Sequence, residues 1–299
     1  MAARASIFIS KMNGEFSQNG RQGTKIVALF VSTIFSDSNR RVPGRNQILD
    51  LGGNGSYMSI FASNLRFMHF PPVVDVIIPA YNEALSIGKV IGDIPRESVR
   101  QIIVCNNNSS DETPAIAAEA GAIVTDQPLR GYGHACLSGM AYLQNHQENR
   151  PPDIVVFLDG DYSDHPAEMK SLIQPIIEGK DLVIGSRTLG SPEKGSLTIP
   201  QQFGNWLATR LIRKLYGYRF TDLGPFRAIR WDKLVLLNMQ DGTYGWTVEM
   251  QVKALNHHLE CAEVPVSYRK RIGKSKISGT IKGTLMAGYK ILWTIVKWH

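Results

Sequence analysis

The chain of 299 residues is long enough for one large α/β domain with a tail, and its 43% apolar content supports a packed core, which excludes a wholly disordered protein. A net charge of +7 suits a partner rich in phosphate, whether nucleotide, phospholipid surface or nucleic acid, although solubility alone also accounts for it. Cys105, Cys136 and Cys261 form no CxxC pair, which argues against a disulfide framework or a zinc site, and no run of about 18 apolar residues offers a spanning helix.

Residues 1–67 are rich in Ser, Asn, Gly and Arg and show no sustained period, so they are expected to be an unstructured or misread leader, or else a mobile basic arm. Within them Ile26 to Phe35 follows Arg21 and Lys25 like a signal core, but it starts late and lacks a small-residue cleavage site. Met68 reads as the natural start, because order begins at once behind it.

From there strand and helix signals alternate. Val73–Pro79 is a continuous β-branched run, as in a buried parallel strand. Ile87, Val90, Ile91 and Ile94 recur at helical spacing, and Gln101–Cys105 predicts a second strand. Thr113 then caps a helix with Pro114 in its first turn and Gly121 at its end. Strands are predicted at Ala122–Thr125, Asp153–Leu158 and Asp181–Ile184, with helices over Tyr132 to about Gln144 and over Pro166–Glu178. This βαβαβ order implies a Rossmann-like, mostly parallel sheet with helices on both faces.

Ligands of such sheets bind outside the carboxyl ends of the strands. Polar sequences stand at four of those ends: Pro79-Ala80-Tyr81-Asn82-Glu83, Asn106 to Asp111, Asp159-Gly160-Asp161, and Gly185-Ser186-Arg187. Asp159 and Asp161 at the end of an apolar strand can hold Mg²⁺ or Mn²⁺, with Gly160 admitting substrate to the backbone; a solvated turn is the bland alternative. Asp164 or His165 is expected to cap the following helix. Arg187 is either a bidentate phosphate ligand or a surface arginine, and Gly131-Tyr132-Gly133-His134 is either a phosphate-facing glycine turn or a tight turn.

The strings VDVIIPAYNEALSIGKVI, NNNSSDET, GYGHA, FLDGDYSDHP, VIGSRTLG and TDLGPFRAIR, in order from about Val73 to about Lys276, resemble the family 2 glycosyltransferases, and within them the polyprenyl-phosphate (dolichyl-phosphate) sugar transferases. The resemblance implies a GT-A type fold over 68–276, a nucleoside-diphosphate sugar donor, a divalent metal and inversion at the anomeric carbon. It implies that Pro79, Tyr81, Glu83 and the loop with Asn106, Asn107 and Asp111 hold the nucleoside. Asp159 and Asp161 then serve ribose, diphosphate and metal, and Arg187 contacts a phosphate. Two departures stand out: Asn106 occupies a place where relatives usually carry Asp, and Ser163 one where they often carry Gln.

In the second half, a helix from Pro200 carries Phe203, Trp206, Leu207, Leu211 and Leu215, with Arg210, Arg213 and Lys214 around them, which reads as a core helix or one lying on an anionic membrane. The turn Thr221-Asp222-Leu223-Gly224-Pro225-Phe226-Arg227 has Gly224-Pro225 where relatives read Ser-Gly. Asp222 and Glu249 are the candidate catalytic acids beside Asp161, as general base or acceptor-orienting group. Val264–Val266 predicts a late strand. The basic run behind it, with Arg271, Lys274 and Lys276, is expected with Arg227 at donor or acceptor phosphate or at lipid headgroups, a solvated loop being the bland alternative. Residues 277–299 fit an amphipathic helix at a membrane surface, or one packed on the catalytic domain.

The expected activity is hexose transfer from a UDP- or GDP-sugar to polyprenyl phosphate, by a peripheral protein at the cytoplasmic membrane face or in the cytoplasm. Alternatives are the same transfer to a soluble phosphorylated metabolite, a nucleotidyltransferase, and a non-catalytic nucleotide-binding adaptor. No nucleic-acid motif is present, and no nucleic-acid partner is expected.

Overall fold

The computed structural model describes residues 71–146, 150–273 and 281–299, all within one compact unit over 70–299. The expected leader 1–67 lies outside the described residues, as do Lys274 and Lys276. The order is β1 (Val74–Ala80), α1 (Ile87–Asp93), β2 (Gln101–Asn106), α2 (Thr113–Glu119), β3 (Ile123–Asp126), α3 (Tyr132–Asn145), β4 (Ile154–Phe157), α4 (Met169–Ile177), β5 (Leu182–Ser186), α5 (Ile199–Tyr216), β6 (Arg227–Arg230), α6 (Trp231–Leu236), α7 (Trp246–Asn256), β7 (Cys261–Pro265) and α8 (Ile281–Lys297).

The strands form one seven-stranded sheet in the order β3-β2-β1-β4-β6-β5-β7. All neighbours are parallel except β6, which runs antiparallel to both β4 and β5. Because side chains alternate across a strand, the apolar runs feed two cores. Ile77, Ile103, Val155 and Ile184 point to one, shared with α3, α5 and α7; Val76, Ile78, Val104 and Val156 point to the other, shared with α1 and α4. The result is a three-layered α/β sandwich, as the alternating pattern implies, and of the GT-A type that the resemblance implies.

Several local expectations are corrected. Thr113 is the first residue of α2 rather than its cap: its hydroxyl donates to Asp111 Oδ1 and accepts the Glu83 N–H. Neither Asp164 nor His165 caps with its side chain, and the expected helix at 166–178 opens as a 3₁₀ turn, Pro166–Glu168, before α4. The late strand starts at Cys261. Strand β6 occupies sequence that gave only a turn signal, since four residues are too few to show a period. Its reversed direction has a consequence for the site. The start of β6, not its end, lies beside the end of β5, with Ile184 opposite Arg227, so the turn 221–226 arrives at the same sheet edge as the other loops.

Helix α5 is firmly delimited. Thr198 and Gln201 form a reciprocal capping box, Pro200 sits in the first turn, and Gly217 closes the helix at φ 75°. Ala208, Thr209 and Ile212 face the core, whereas Phe203 and Trp206 are exposed. Helix α8 buries Thr294 and Ile295 against the domain, and the Tyr216 hydroxyl donates to the Ile295 carbonyl at 2.7 Å. Among the described residues no helix is long and apolar enough to cross a membrane.

Candidate active site

The loops after β1 and β2 are stitched to each other by side-chain to backbone bonds. Ser109 accepts the Asn82 N–H at 3.0 Å, Asn82 Oδ1 accepts the Ser110 N–H at 2.8 Å, and Asp111 Oδ2 accepts the Ala84 N–H at 3.2 Å. Asn82 and Asn108 take left-handed conformations (φ 54° and 61°), which asparagine tolerates better than most residues. Asn106 donates to Asp126 at 2.7 Å, and Asn107 donates to the Gln127 and Leu129 carbonyls while accepting the Gly131 N–H. An ionised Asp has no hydrogen to donate, so amides at these places serve the loop framework. The structure therefore brings Pro79, Tyr81, Glu83, Asn106, Asn107 and Asp111 to one edge, with the side chains of Asn106, Asn107 and Asp111 engaged in holding it.

At the end of β4, Asp159 and Asp161 turn back under the loop. Asp161 is buried: Oδ1 accepts the Ser163 N–H (2.9 Å) and hydroxyl (2.5 Å), and Oδ2 pairs with the Arg271 guanidinium at 2.5 Å. Ser163, standing where relatives often carry the longer Gln, thus orients Asp161. Asp159 has one oxygen, Oδ1, buried with no hydrogen-bond partner among the described residues. Burial, and then the Asp161 charge, push the Asp159 carboxyl up to about 7, against the opposing charge of Arg271. Asp164, read from sequence as a cap, accepts the Asp159 N–H at 3.2 Å and is itself raised by burial and by both neighbouring carboxylates.

The segment Tyr268–Ile272 lies along this loop like a strap. The Arg269 N–H reaches the Ser163 carbonyl and the Ile272 N–H the Asp161 carbonyl, each at 2.9 Å. The Arg269 guanidinium lies 3.2 Å from the centre of the Tyr162 ring and donates to the Tyr162 and Asp164 carbonyls. Of the basic run, Arg271 is therefore at the carboxylates.

On the other side, Arg187 and Asp222 form a bidentate pair. Arg187 Nε and a terminal nitrogen donate to Asp222 at 2.8 and 2.7 Å, and the Arg187 N–H donates to the same carboxylate at 2.8 Å. The Asp222 charge outweighs burial and raises the Arg187 pKa further. Two features place Asp222. Gly224 lets the turn press on β5, since a Cβ there would lie 2.3 Å from the Gly185 carbonyl oxygen, and Glu263 accepts the Thr221 and Asp222 N–H groups at 2.9–3.0 Å. Glu263 gave no sequence signal, because a lone acid in a strand is indistinguishable from a solvated one. A cavity of about 580 Å³ opens beside the pair, lined by Thr188, Lys194, Gln202, Trp206 and Thr221 among others.

Two expected site residues and one expected phosphate turn are engaged elsewhere. Arg227 is fully buried and donates to the Gly224, Leu223 and Thr247 carbonyls, so its guanidinium faces no phosphate; burial lowers its pKa to about 10. Glu249 is fully buried; it accepts the Gln240 and Asp241 N–H groups and pairs with Lys253 at 2.7 Å, which makes it a brace between α7 and the preceding loop rather than a base. The glycine turn at 131–134 donates its Gly133 and His134 N–H groups to the Thr243 and Gly242 carbonyls. A Cβ at Gly133 would fall 1.8 Å from the Asp241 carbonyl oxygen, so these glycines serve backbone packing, not phosphate.

The carboxylate pair fits a hard divalent cation: its ligands are oxygens, and one of them, Asp159 Oδ1, is buried with no hydrogen-bond partner among the described residues. No cluster of three or more acidic, histidine or cysteine side chains among the described residues is arranged for a metal. Phosphate oxygens and water would complete the shell, as is usual for Mg²⁺.

Residues 75–235 match Glycosyl transferase family 2. The chain is 33% identical over 207 residues to a dolichyl-phosphate hexose transferase of Haloferax volcanii, spanning 68% of this chain and 85% of that one. It is 26% identical to an undecaprenyl-phosphate mannosyltransferase of Micrococcus luteus, over 75% of this chain and 95% of that one. In fold it is similar to the crystal structure of glucosyl-3-phosphoglycerate synthase from Mycobacterium tuberculosis in complex with Mn²⁺, UDP and phosphoglyceric acid. That match has a TM-score of 0.59 at 22% identity and covers 76% of this chain and 78% of that one.

Proposed function

The chain belongs to glycosyl transferase family 2, and on that premise we propose that it transfers a hexose, with inversion, from a UDP- or GDP-sugar to a polyprenyl phosphate at the cytoplasmic face of a membrane. The observation that carries this reading is the meeting, at one sheet edge, of the Asp159–Asp161 pair, the basic strap and the Arg187–Asp222 pair. Asp159 and Asp161 would hold the divalent ion, which neutralises the departing nucleoside diphosphate. Arg271, beside them, would receive the diphosphate, and Asp222 would hold the Arg187 guanidinium beside the cavity that would take the acceptor.

The arrangement of the acids supports a phosphate acceptor. Asp222 is committed to Arg187, and Glu249 to Lys253 and two backbone N–H groups, so neither is free to take a proton from a hydroxyl. A phosphate acceptor arrives already ionised and needs no strong base. The relatives from Haloferax volcanii and Micrococcus luteus are named for polyprenyl-phosphate acceptors.

Two helices support the membrane. On α5, Phe203 and Trp206 are exposed beside Arg210, Arg213 and Lys214; on α8, Met286, Tyr289, Trp293 and Val296 are exposed beside Lys297, while Lys290 pairs with Asp241 at 3.0 Å. Neither helix contains Asp or Glu, and a groove of about 710 Å³ between them is floored by Leu207, Leu211, Leu292 and Val296. Aromatic and basic side chains without acids suit an anionic lipid surface. A soluble phosphorylated acceptor is favoured by one feature, the polar lining of the cavity beside Arg187.

The test is transfer of label from UDP-glucose, UDP-galactose, UDP-GlcNAc or GDP-mannose into a lipid-extractable product, with polyprenyl phosphate and Mg²⁺ or Mn²⁺. Metal-dependent lipid label lost in Asp161→Ala supports the reading. Metal-dependent donor hydrolysis without lipid label moves the acceptor to a soluble phosphate, and no turnover of any donor overturns the function.

A further inference from the structure

We infer that Arg271 is a built-in counter-ion for Asp161, which it releases when a nucleoside diphosphate arrives, so that metal and nucleotide enter this site as a coupled pair. The inference rests on the reading of the edge as a donor site and adds an order of events to it.

Three observations carry it. First, both Asp161 oxygens are engaged: Oδ1 by Ser163 and Oδ2 by Arg271 at 2.5 Å. A metal ion seeking this carboxylate competes with a positive charge already in place.

Second, the strap is fixed by bonds that do not involve the Arg271 side chain. Its backbone pairs at Arg269 and Ile272, and the Arg269 guanidinium is clamped on Tyr162. Tyr268 is buried, with the Arg187 guanidinium 5.0 Å from the centre of its ring. The anchor points bracket position 271, so the side chain can exchange partners without moving the strap. It is 28% exposed, so solvent reaches it.

Third, the protein offers a cation only a carboxylate pair, with no cluster of three suitable side chains among the described residues. A divalent ion alone finds too few ligands and a competing guanidinium. A nucleoside diphosphate reverses both conditions: its oxygens complete the coordination shell, and they attract the guanidinium away from Asp161, since arginine matches phosphate in a bidentate fork. By linkage, the factor by which nucleotide strengthens metal binding equals the factor by which metal strengthens nucleotide binding.

The experiment titrates the full chain with Mn²⁺, reading free Mn²⁺ by electron paramagnetic resonance, with and without saturating UDP or GDP, for wild type, Arg271→Gln and Arg271→Lys. The wild type is expected to bind Mn²⁺ weakly alone and roughly 5–150-fold more tightly with nucleotide, the usual range of a coupling between sites. Arg271→Gln is expected to bind Mn²⁺ alone about tenfold more tightly than wild type and to lose a corresponding part of the coupling. Arg271→Lys, which keeps a charge, should stay near wild type and guards against a folding artefact in the Gln variant. If Arg271→Gln binds Mn²⁺ alone no better than wild type, with unchanged coupling, the counter-ion role is wrong while the donor site stands. If wild type binds no Mn²⁺ even with UDP or GDP, the donor reading falls and takes this inference with it.

Discussion

Removing the Asp222 carboxylate tests the architecture of the site most directly. In Asp222→Ala the Arg187 guanidinium, 14% exposed and held at 2.7–2.8 Å, loses its only ion-pair partner among the described residues. Asp222 itself is 1% exposed, so water cannot readily replace it. Two charges about 4 Å apart attract by roughly 4 kcal/mol at an effective dielectric of 20, and breaking a buried pair from one side costs about 3–5 kcal/mol. For a domain of this size about 1 kcal/mol moves Tm by roughly 2–4 °C, so Asp222→Ala should melt roughly 6–20 °C lower. The double variant Asp222→Leu, Arg187→Met removes both charges and should recover most of that loss, because replacing a buried pair by apolar residues is often neutral. It should recover no sugar transfer, since the guanidinium is gone. Calorimetry on the three proteins decides. A drop below about 1 °C in Asp222→Ala would mean that the pair is solvated, and the account of Asp222 as an orienting group would be wrong. A stable Asp222→Ala that loses only kcat, with a changed pH profile, would point instead to a general base.

Three further outcomes are expected. Asp159 has a folded pKa of about 7 against 3.8 for the ordinary carboxyl, so its contribution to stability is fully present below about pH 4 and is lost as pH rises through 7; in chelator Tm should fall between pH 5.5 and 8, and a flat profile contradicts the buried environment. Glu249→Ala leaves the buried Lys253 without its carboxylate partner, holding only the Asn238 carbonyl and the Trp298 ring, and should cost about 3–5 kcal/mol in denaturant unfolding; Glu249→Gln that folds should keep its KM for donor and acceptor, and a rate loss of about a hundredfold or more at intact stability would restore Glu249 as a candidate base. Replacing Phe203, Trp206 and Trp293 by Ser should release the protein from vesicles containing anionic lipid while leaving Tm within a few degrees, as these side chains are exposed; unchanged sedimentation with vesicles would refute the membrane surface.

Much was legible from residues alone. The β-branched runs at 74–80, 101–106, 154–157 and 182–186 declare buried parallel strands, since only a strand covered on both faces reads as continuously apolar. The carboxylate pair could be found because it directly follows such a run, and the position of a strand end is a local fact. The helix from Pro200 and the amphipathic, lysine-bearing segment 277–299 were equally visible in their own sequence.

What needed the tertiary structure are the partnerships. Arg187 and Asp222 lie 35 residues apart, and Arg271 lies over a hundred residues beyond Asp161; both pairs exist only because β6 reverses direction and β7 delivers the strap to the same edge. Arg227 and Glu249 looked like site residues in sequence, and folding turned both inward, onto carbonyls, backbone N–H groups and Lys253. Hydrophobic periodicity reports which face of an element is buried. The choice of partner for a buried charge is made by chain segments brought together across the sheet, and it leaves no local pattern to read.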